Sequence, residues 1–154
     1  RGVAGTTFTS RDKINIIINY KVISINKLVE GEYEAQDINH TYKDSIKKFL
    51  EEEYFINELF SYYDGPPITK NSSERPSIEI ESNLDIKITL NNYKLDKRII
   101  RQKRLKFLIQ RSLNAHLEVW NEDKILLESG EVLILDDIDI DDINIKINTS
   151  SVIS

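Results

Sequence analysis

Five aspartates fall within seven residues, Asp136 to Asp142, inside the otherwise apolar stretch LILDDIDIDDINIKI at 133–147. Carboxylates at this density could hold a calcium ion. A calcium-binding loop beginning at Asp137 would need glycine at its sixth position and glutamate at its twelfth. Asp142 and Asn148 stand at those two positions, so the residues that complete a calcium loop are missing.

The same stretch predicts a kinked strand better than a nucleotide-sugar site. An aspartate-x-aspartate motif of the glycosyltransferase kind would leave only residues 142–154 for an acceptor site. The isoleucines occupy even positions up to Ile140 and odd positions from Ile143 onward. Because side chains alternate along a strand, this switch predicts a bulge or tight turn at Asp141–Asp142. The aspartates would then mark the soluble edge of the strand.

A second charged stretch, Lys94 to Arg111, carries eight basic residues and one acid. Its apolar residues recur at helical spacing, which predicts a helix over 94–114. Five cations project into one sector of that helix, opposite the apolar stripe: Lys94, Lys97, Arg101, Arg104 and Arg111. Such a face suits solvent, nucleic-acid phosphates or an acidic protein surface. The net charge of −5 and the lack of exposed aromatics among the cations favour the protein surface.

One set of residues could support catalysis. Asp85-Ile86-Lys87 lies in an alternating stretch, Asp64 precedes it at a turn, and Glu53 projects toward the apolar side of the predicted first helix. Over about half of the chain this arrangement resembles the PD-(D/E)xK nucleases. The resemblance implies that Asp64 and Asp85 hold Mg²⁺ while Lys87 positions the attacking water.

Other catalytic patterns are missing. The chain has no cysteine, which excludes thiolate zinc sites and cysteine nucleophiles, and its five glycines form neither a phosphate loop nor a nucleophile elbow. The two histidines, His40 and His116, lack the spacing of zinc ligands and are expected at the edges of elements. We therefore expect no cofactor and no metal.

The elements that must position these residues alternate in kind along the chain. We expect one domain at 13–154 that follows an N-terminal arm at 1–12 and contains a long loop at 64–77. Within Ser77–Leu90, one long strand and a hairpin at Ser82-Asn83 both remain open. The other predicted elements are strands at 14–24, 116–120, 124–128 and 131–147, and helices at 41–62 and 94–114. This order predicts an α+β fold, with two amphipathic helices packed on a mostly antiparallel sheet and a strand-rich C-terminal third.

These features predict a non-catalytic structural or adaptor component of a larger assembly, such as a virion, phage tail or secretion machine. It would bind other protein subunits, including copies of itself, through opposed basic and acidic faces. The acidic side of that contact would use Asp137, Asp139 and Asp141, and the basic side the five cations named above. The alternative is the nuclease or another nucleic-acid-associated protein. Abundant isoleucine and asparagine indicate an AT-rich genome, no membrane span is expected, and the location would be cytoplasm or a macromolecular particle.

Overall fold

The computed structural model describes residues 7–70, 73–96, 99–120 and 123–148, which form an α+β fold around a curled antiparallel sheet. The strands are β1 (Thr7–Phe8), β2 (Lys13–Val29), β3 (Glu32–Gln36), β4 (Ile68–Lys70), β5 (Ser77–Ile80), β6 (Ile86–Leu95), β7 (Ile100–Arg101), β8 (Ile125–Leu126) and β9 (Val132–Ile147). The helices are α1 (Lys43–Leu50), α2 (Glu53–Glu58) and α3 (Gln102–Trp120). A 3-10 turn, His40–Tyr42, precedes α1.

The main sheet runs in the order β4-β6-β2-β9-β8, with β3 also paired to β2 and β5 to β6. Its central strand is β2, whose even-numbered residues from Ile14 to Val22 are buried while the alternate residues face outward. All three helices contribute to the same buried core, so they cover one face of the sheet. Since α1 contacts both β5 and β8, near opposite edges, the sheet must curl around that core.

The stretch from Ser77 to Leu90 forms a hairpin, which decides between the two predicted arrangements. β5 and β6 pair antiparallel, with Ile80 opposite Ile86. Leu84 lies in the connecting turn at a φ of +69°, a conformation that few non-glycine residues adopt. The turn therefore interrupts an alternation that continues unbroken in the sequence.

The predicted helix over 41–62 is two shorter helices. The chain leaves helical geometry at Glu52, whose ψ is 136°, and α2 then begins. Three consecutive glutamates at 51–53 explain the break, because carboxylates are unfavourable at a helix C-terminus and favourable at an N-terminus. Ahead of α1, Asn39 caps the 3-10 turn, because its Oδ1 accepts a hydrogen bond from the Thr41 backbone N–H.

The predicted helix over 94–114 begins and ends later than expected. Lys94 lies in β6 opposite Thr69, and Arg101 lies in β7 opposite Thr7, so pairing with other strands keeps these residues extended. Helix α3 then continues to Trp120, and the strand predicted at 116–120 is wrong. The apolar residues of that segment extend the buried stripe of α3 at helical spacing, which outweighs their strand preference.

The bulge predicted in the aspartate-rich strand is confirmed. Asn19 pairs with Asp142 and Tyr20 with Ile140, so Asp141 is the extra residue. On either side of it, Ile138 and Ile143 both turn into the core. One inserted residue thus keeps two isoleucine sets of opposite parity on the same face.

Two further segments complete the fold. Within the predicted N-terminal arm, β1 pairs with β7 and buries Phe8 almost completely, while residues 1–6 lie outside the described part of the chain. The segment at 64–77 includes the short strand β4, which extends the sheet beside β6. In the described parts of the chain, none of the helices has the length and apolar character needed to cross a bilayer.

Candidate interaction surfaces

The exposed side of α3 carries a cluster of cations around one aromatic ring. Leu105 and Ile109 point into the core, and Phe107 lies about 160° from each of them around the helix. It is therefore 54% exposed. We call this cluster the basic surface; its members are Arg101, Lys103, Arg104, Phe107 and Arg111, all exposed.

Helical spacing places Phe107 at the centre of the basic surface. Lys103 and Arg104 precede it by four and three residues, and Arg111 follows it by four, so all three are its neighbours on the helix. The Arg104 guanidinium lies 5.6 Å from the centre of the Phe107 ring, within the range of a cation–π contact. The Phe107 ring thus presents a flat apolar surface between positively charged side chains.

Two shallow clefts meet at Arg104. One, of about 440 Å³, lies between α3 and the turn at 64–67, and Ile99 at its rim is 73% exposed. The other, of about 380 Å³, is formed by four members of the basic surface alone. The basic surface is therefore indented and partly apolar, so a partner could match it in shape as well as in charge.

A second exposed surface crosses four strands on the sheet face that turns away from the helices. Leu126 pairs with Val132, Val132 with Leu28, and Leu28 with Tyr33. Directly paired residues point to the same side of a sheet, so these four side chains form one continuous apolar row. Leu126 is 71% exposed and Tyr33 52% exposed. We call this surface the apolar row.

Acidic residues surround the apolar row. Residues 28–39 contain four acids and residues 125–142 contain seven, with no lysine or arginine in either range. The nearby cations are Lys27, whose ammonium group pairs with Glu131 at 3.2 Å, and exposed Lys124, which directly precedes β8. The exposed carboxylates in the strand and turns next to the row are Glu30, Glu32, Glu34, Glu128 and Glu131.

The predicted acidic contact residues lie farther along β9. Asp137, Asp139 and Asp141 are all exposed, with Asp137 opposite Ser24 and Asp139 opposite Lys21. Asp141 occupies the bulge. These side chains lie on or beside the outer face of the sheet, whereas the basic surface belongs to the helical layer.

The predicted basic residues do not form one helical face. Arg104 and Arg111 lie on α3 as expected, and Arg101 lies just before it. Lys94 is in β6, and Lys97 lies outside the described residues. The expectation of no exposed aromatic among the cations is wrong, because Phe107 is exposed. Periodicity alone could have found it, since Phe107 falls opposite the apolar stripe.

The residues of the nuclease resemblance are not brought together. Asp85 immediately precedes Ile86, the first residue of β6. Asp64 lies four residues before Ile68, which pairs with Leu95, the last residue of β6. The two aspartates thus lie near opposite ends of a strand about 30 Å long, too far apart to share a magnesium ion. Asp85 instead accepts a hydrogen bond from Asn83 Nδ2 at 3.0 Å.

The two other members of that set have different surroundings. Lys87 lies opposite Glu79 and Asn19 on the outer face of the sheet. Glu53 begins α2, and its side chain lies outside the described part of the structure. Among the side chains that the structure describes, no three histidines, aspartates and glutamates lie close enough together to hold a metal ion.

Buried aromatic side chains meet in the core between the sheet and α3. The Trp120 ring lies 4.7 Å from Phe55 and 5.2 Å from Tyr20, measured between ring centres, and His116 also packs against Phe55. Burial lowers the pKa of His116, and the charge of Glu58 partly offsets that effect. His116 is thus a core residue within α3, not the edge residue that the sequence predicts, whereas His40 is exposed in the 3-10 turn.

No family model matches the chain, and comparison with the curated proteins and with the solved structures gives no significant match. Among the residues that the structure describes, the basic surface combines exposure and shape with positive charges that form no ion pair.

Proposed function

We propose that this chain is a non-catalytic adaptor, a component of a larger protein assembly that binds an acidic neighbouring subunit through the basic surface. One observation carries the proposal: Phe107 stands exposed among three cations on the side of α3 that the sheet does not cover. Interfaces commonly place an aromatic or arginine anchor inside a ring of polar contacts. The surrounding charges would steer an acidic partner and set its orientation.

The separation of charge along the chain supports this proposal. From residue 97 to residue 117 there are seven basic residues and no acid. A concentration of positive charge of this kind raises the association rate with a surface of opposite sign and disfavours partners of like sign. We propose the cytoplasm or a macromolecular particle as the protein's location.

Binding to labelled poly-L-glutamate, followed by fluorescence anisotropy near 0.15 M salt, tests whether the basic surface is the acid-binding site. The test variant replaces Arg101, Lys103 and Arg104 by alanine and should lose most of the binding. The matched control replaces three exposed cations of α1 by alanine and removes the same charge elsewhere: Lys43, Lys47 and Lys48. Equal losses in the two variants would mean that only net charge matters, and the proposal would fail.

Single-stranded nucleic acid is the second candidate partner, and the exposed ring of Phe107 is the observation that favours it. A base stacked on an aromatic side chain contributes about 1–3 kcal/mol, and the adjacent cations could contact phosphates. Replacing Phe107 by leucine separates the two candidates, because leucine keeps apolar area but cannot stack a base in the same way. A loss of oligonucleotide affinity of about ten-fold or more in Phe107→Leu, with poly-L-glutamate binding retained, would favour nucleic acid.

A further inference from the structure

The apolar row is complementary to the basic surface in both charge and polarity. Each surface has exposed apolar side chains at its centre, Leu126 and Tyr33 in one and Phe107 in the other. Carboxylates outnumber cations around the apolar row, whereas the basic surface carries cations only. A contact between them would therefore bury apolar area and bring opposite charges together around it.

The two surfaces cannot meet within one molecule. The basic surface faces outward from the helical layer, whereas the apolar row lies on the opposite, outer face of the sheet. They are also far apart along β2. The Lys106 ammonium group of α3 lies 3.9 Å from Asp142, which pairs with Asn19 of β2, and Leu28 lies nine residues farther on, about 30 Å along the strand.

We propose that the apolar row of one copy of this chain is the docking site for the basic surface of a second copy. The inference rests on the proposed function and names the neighbouring subunit as another copy of the chain. The two contacting surfaces differ, so the interface is heterologous and each docked copy leaves one surface of each kind free. Such copies add head to tail into a ring or an open filament, according to the rotation between neighbours.

Two single variants test this arrangement by complementation. Phe107→Asp places a negative charge at the centre of the basic surface, and Leu126→Lys places a positive charge in the apolar row. Both side chains are more than half exposed, so neither change disturbs the core. Each variant keeps one intact surface, and the intact surfaces of the two variants are complementary.

Light scattering after size exclusion, at protein concentrations up to about 1 mM, measures the outcome because it detects complexes with Kd values in that range. The wild type should form oligomers whose size grows with concentration and decreases with added salt. Each variant alone should be monomeric, with self-association weakened at least about ten-fold. An equimolar mixture should form a 1:1 dimer and nothing larger.

Three results would overturn the inference: a monomeric wild type, oligomers in either variant alone, or a mixture that remains monomeric. These results are distinguishable from failure of the proposed function. If Phe107→Asp is monomeric while Leu126→Lys assembles like the wild type, the basic surface still binds a protein and only the apolar row is the wrong acceptor. If the wild type is monomeric, the poly-L-glutamate comparison still decides whether the basic surface binds acidic partners.

Discussion

Replacing Tyr20 by phenylalanine should make the protein more stable. Tyr20 lies in the centre of β2 and is 1% exposed, and burial raises the pKa of its hydroxyl group well above the ordinary value. Within the described structure, its Oη atom has no hydrogen-bond partner. A buried polar group without a partner costs about 1–3 kcal/mol, so removing the hydroxyl removes that cost.

The expected gain can be estimated from two opposing effects. The void left by one oxygen atom costs only about 0.2 kcal/mol at roughly 24 cal/mol per Å³. The free energy of unfolding should therefore rise by about 1–2 kcal/mol. For a domain of this size each kilocalorie corresponds to about 2–4 °C, so the melting temperature should rise by about 2–8 °C.

Tyr63 provides a matched control with the opposite expectation. Burial raises the pKa of Tyr63 to about 12, but its hydroxyl group donates a hydrogen bond to the Pro66 carbonyl at 2.6 Å. Tyr63→Phe loses that bond and should destabilise the protein by about 1 kcal/mol. Urea denaturation followed by far-UV circular dichroism measures both variants, since the fluorescence of Trp120 would itself respond to its contact with Tyr20. A loss of stability above about 0.5 kcal/mol in Tyr20→Phe would show that its hydroxyl is bonded in solution, and the reasoning would be refuted.

Two further substitutions and one deletion test other parts of the fold. Folding lowers the pKa of His116, so below about pH 6.5 the unfolded chain binds more protons than the folded protein. As the pH falls further, the free energy of unfolding should therefore decrease by up to about 1.4 kcal/mol per pH unit, until the pKa of the folded state is reached. His116→Phe should reduce that slope in denaturation curves between pH 7 and pH 5, and an unchanged slope would count against the assignment. A Cβ at Gly65 would lie 2.7 Å from Leu108 Cδ1 and 2.8 Å from Tyr63 Oη, so these side-chain ends must shift; Gly65→Ala should cost about 0.5–1.5 kcal/mol in thermal melts, and a gain in stability would contradict those contacts. Deleting Asp141 removes the bulge and should turn Ile143 outward and prevent stable folding; a native-like, cooperative melt would show that β9 finds another register.

Local periodicity was sufficient where one residue spacing decided the structure. The buried face of β9 follows from the alternation of its isoleucines, and the bulge at Asp141 follows from the change of parity between Ile140 and Ile143. The buried stripe of α3 follows from helical spacing over most of its length. These patterns are local, because each depends only on the 2.0 or 3.6 residue period of one element.

The ends of elements were harder to predict. Lys94 and Arg101 have the residue types of a helix but are held extended by pairing with β4 and β1, which lie far away in the sequence. His116 to Trp120 has strand-forming residues, yet the core packing of α3 keeps it helical. In each case a long-range contact outweighed a weak local preference.

By itself, the sequence determined the charge separation, the alternating faces of β9, the position of its bulge and the absence of cysteine chemistry. Only the tertiary structure decided which charged and apolar residues share a surface. Leu28, Tyr33, Leu126 and Val132 form a row because strands that are distant in sequence pair in one register. Likewise, the curl of the sheet around α3 determines which side of that helix remains open, and Phe107 lies on it. Surfaces of this kind depend on pairing and packing between elements, which a local pattern does not encode.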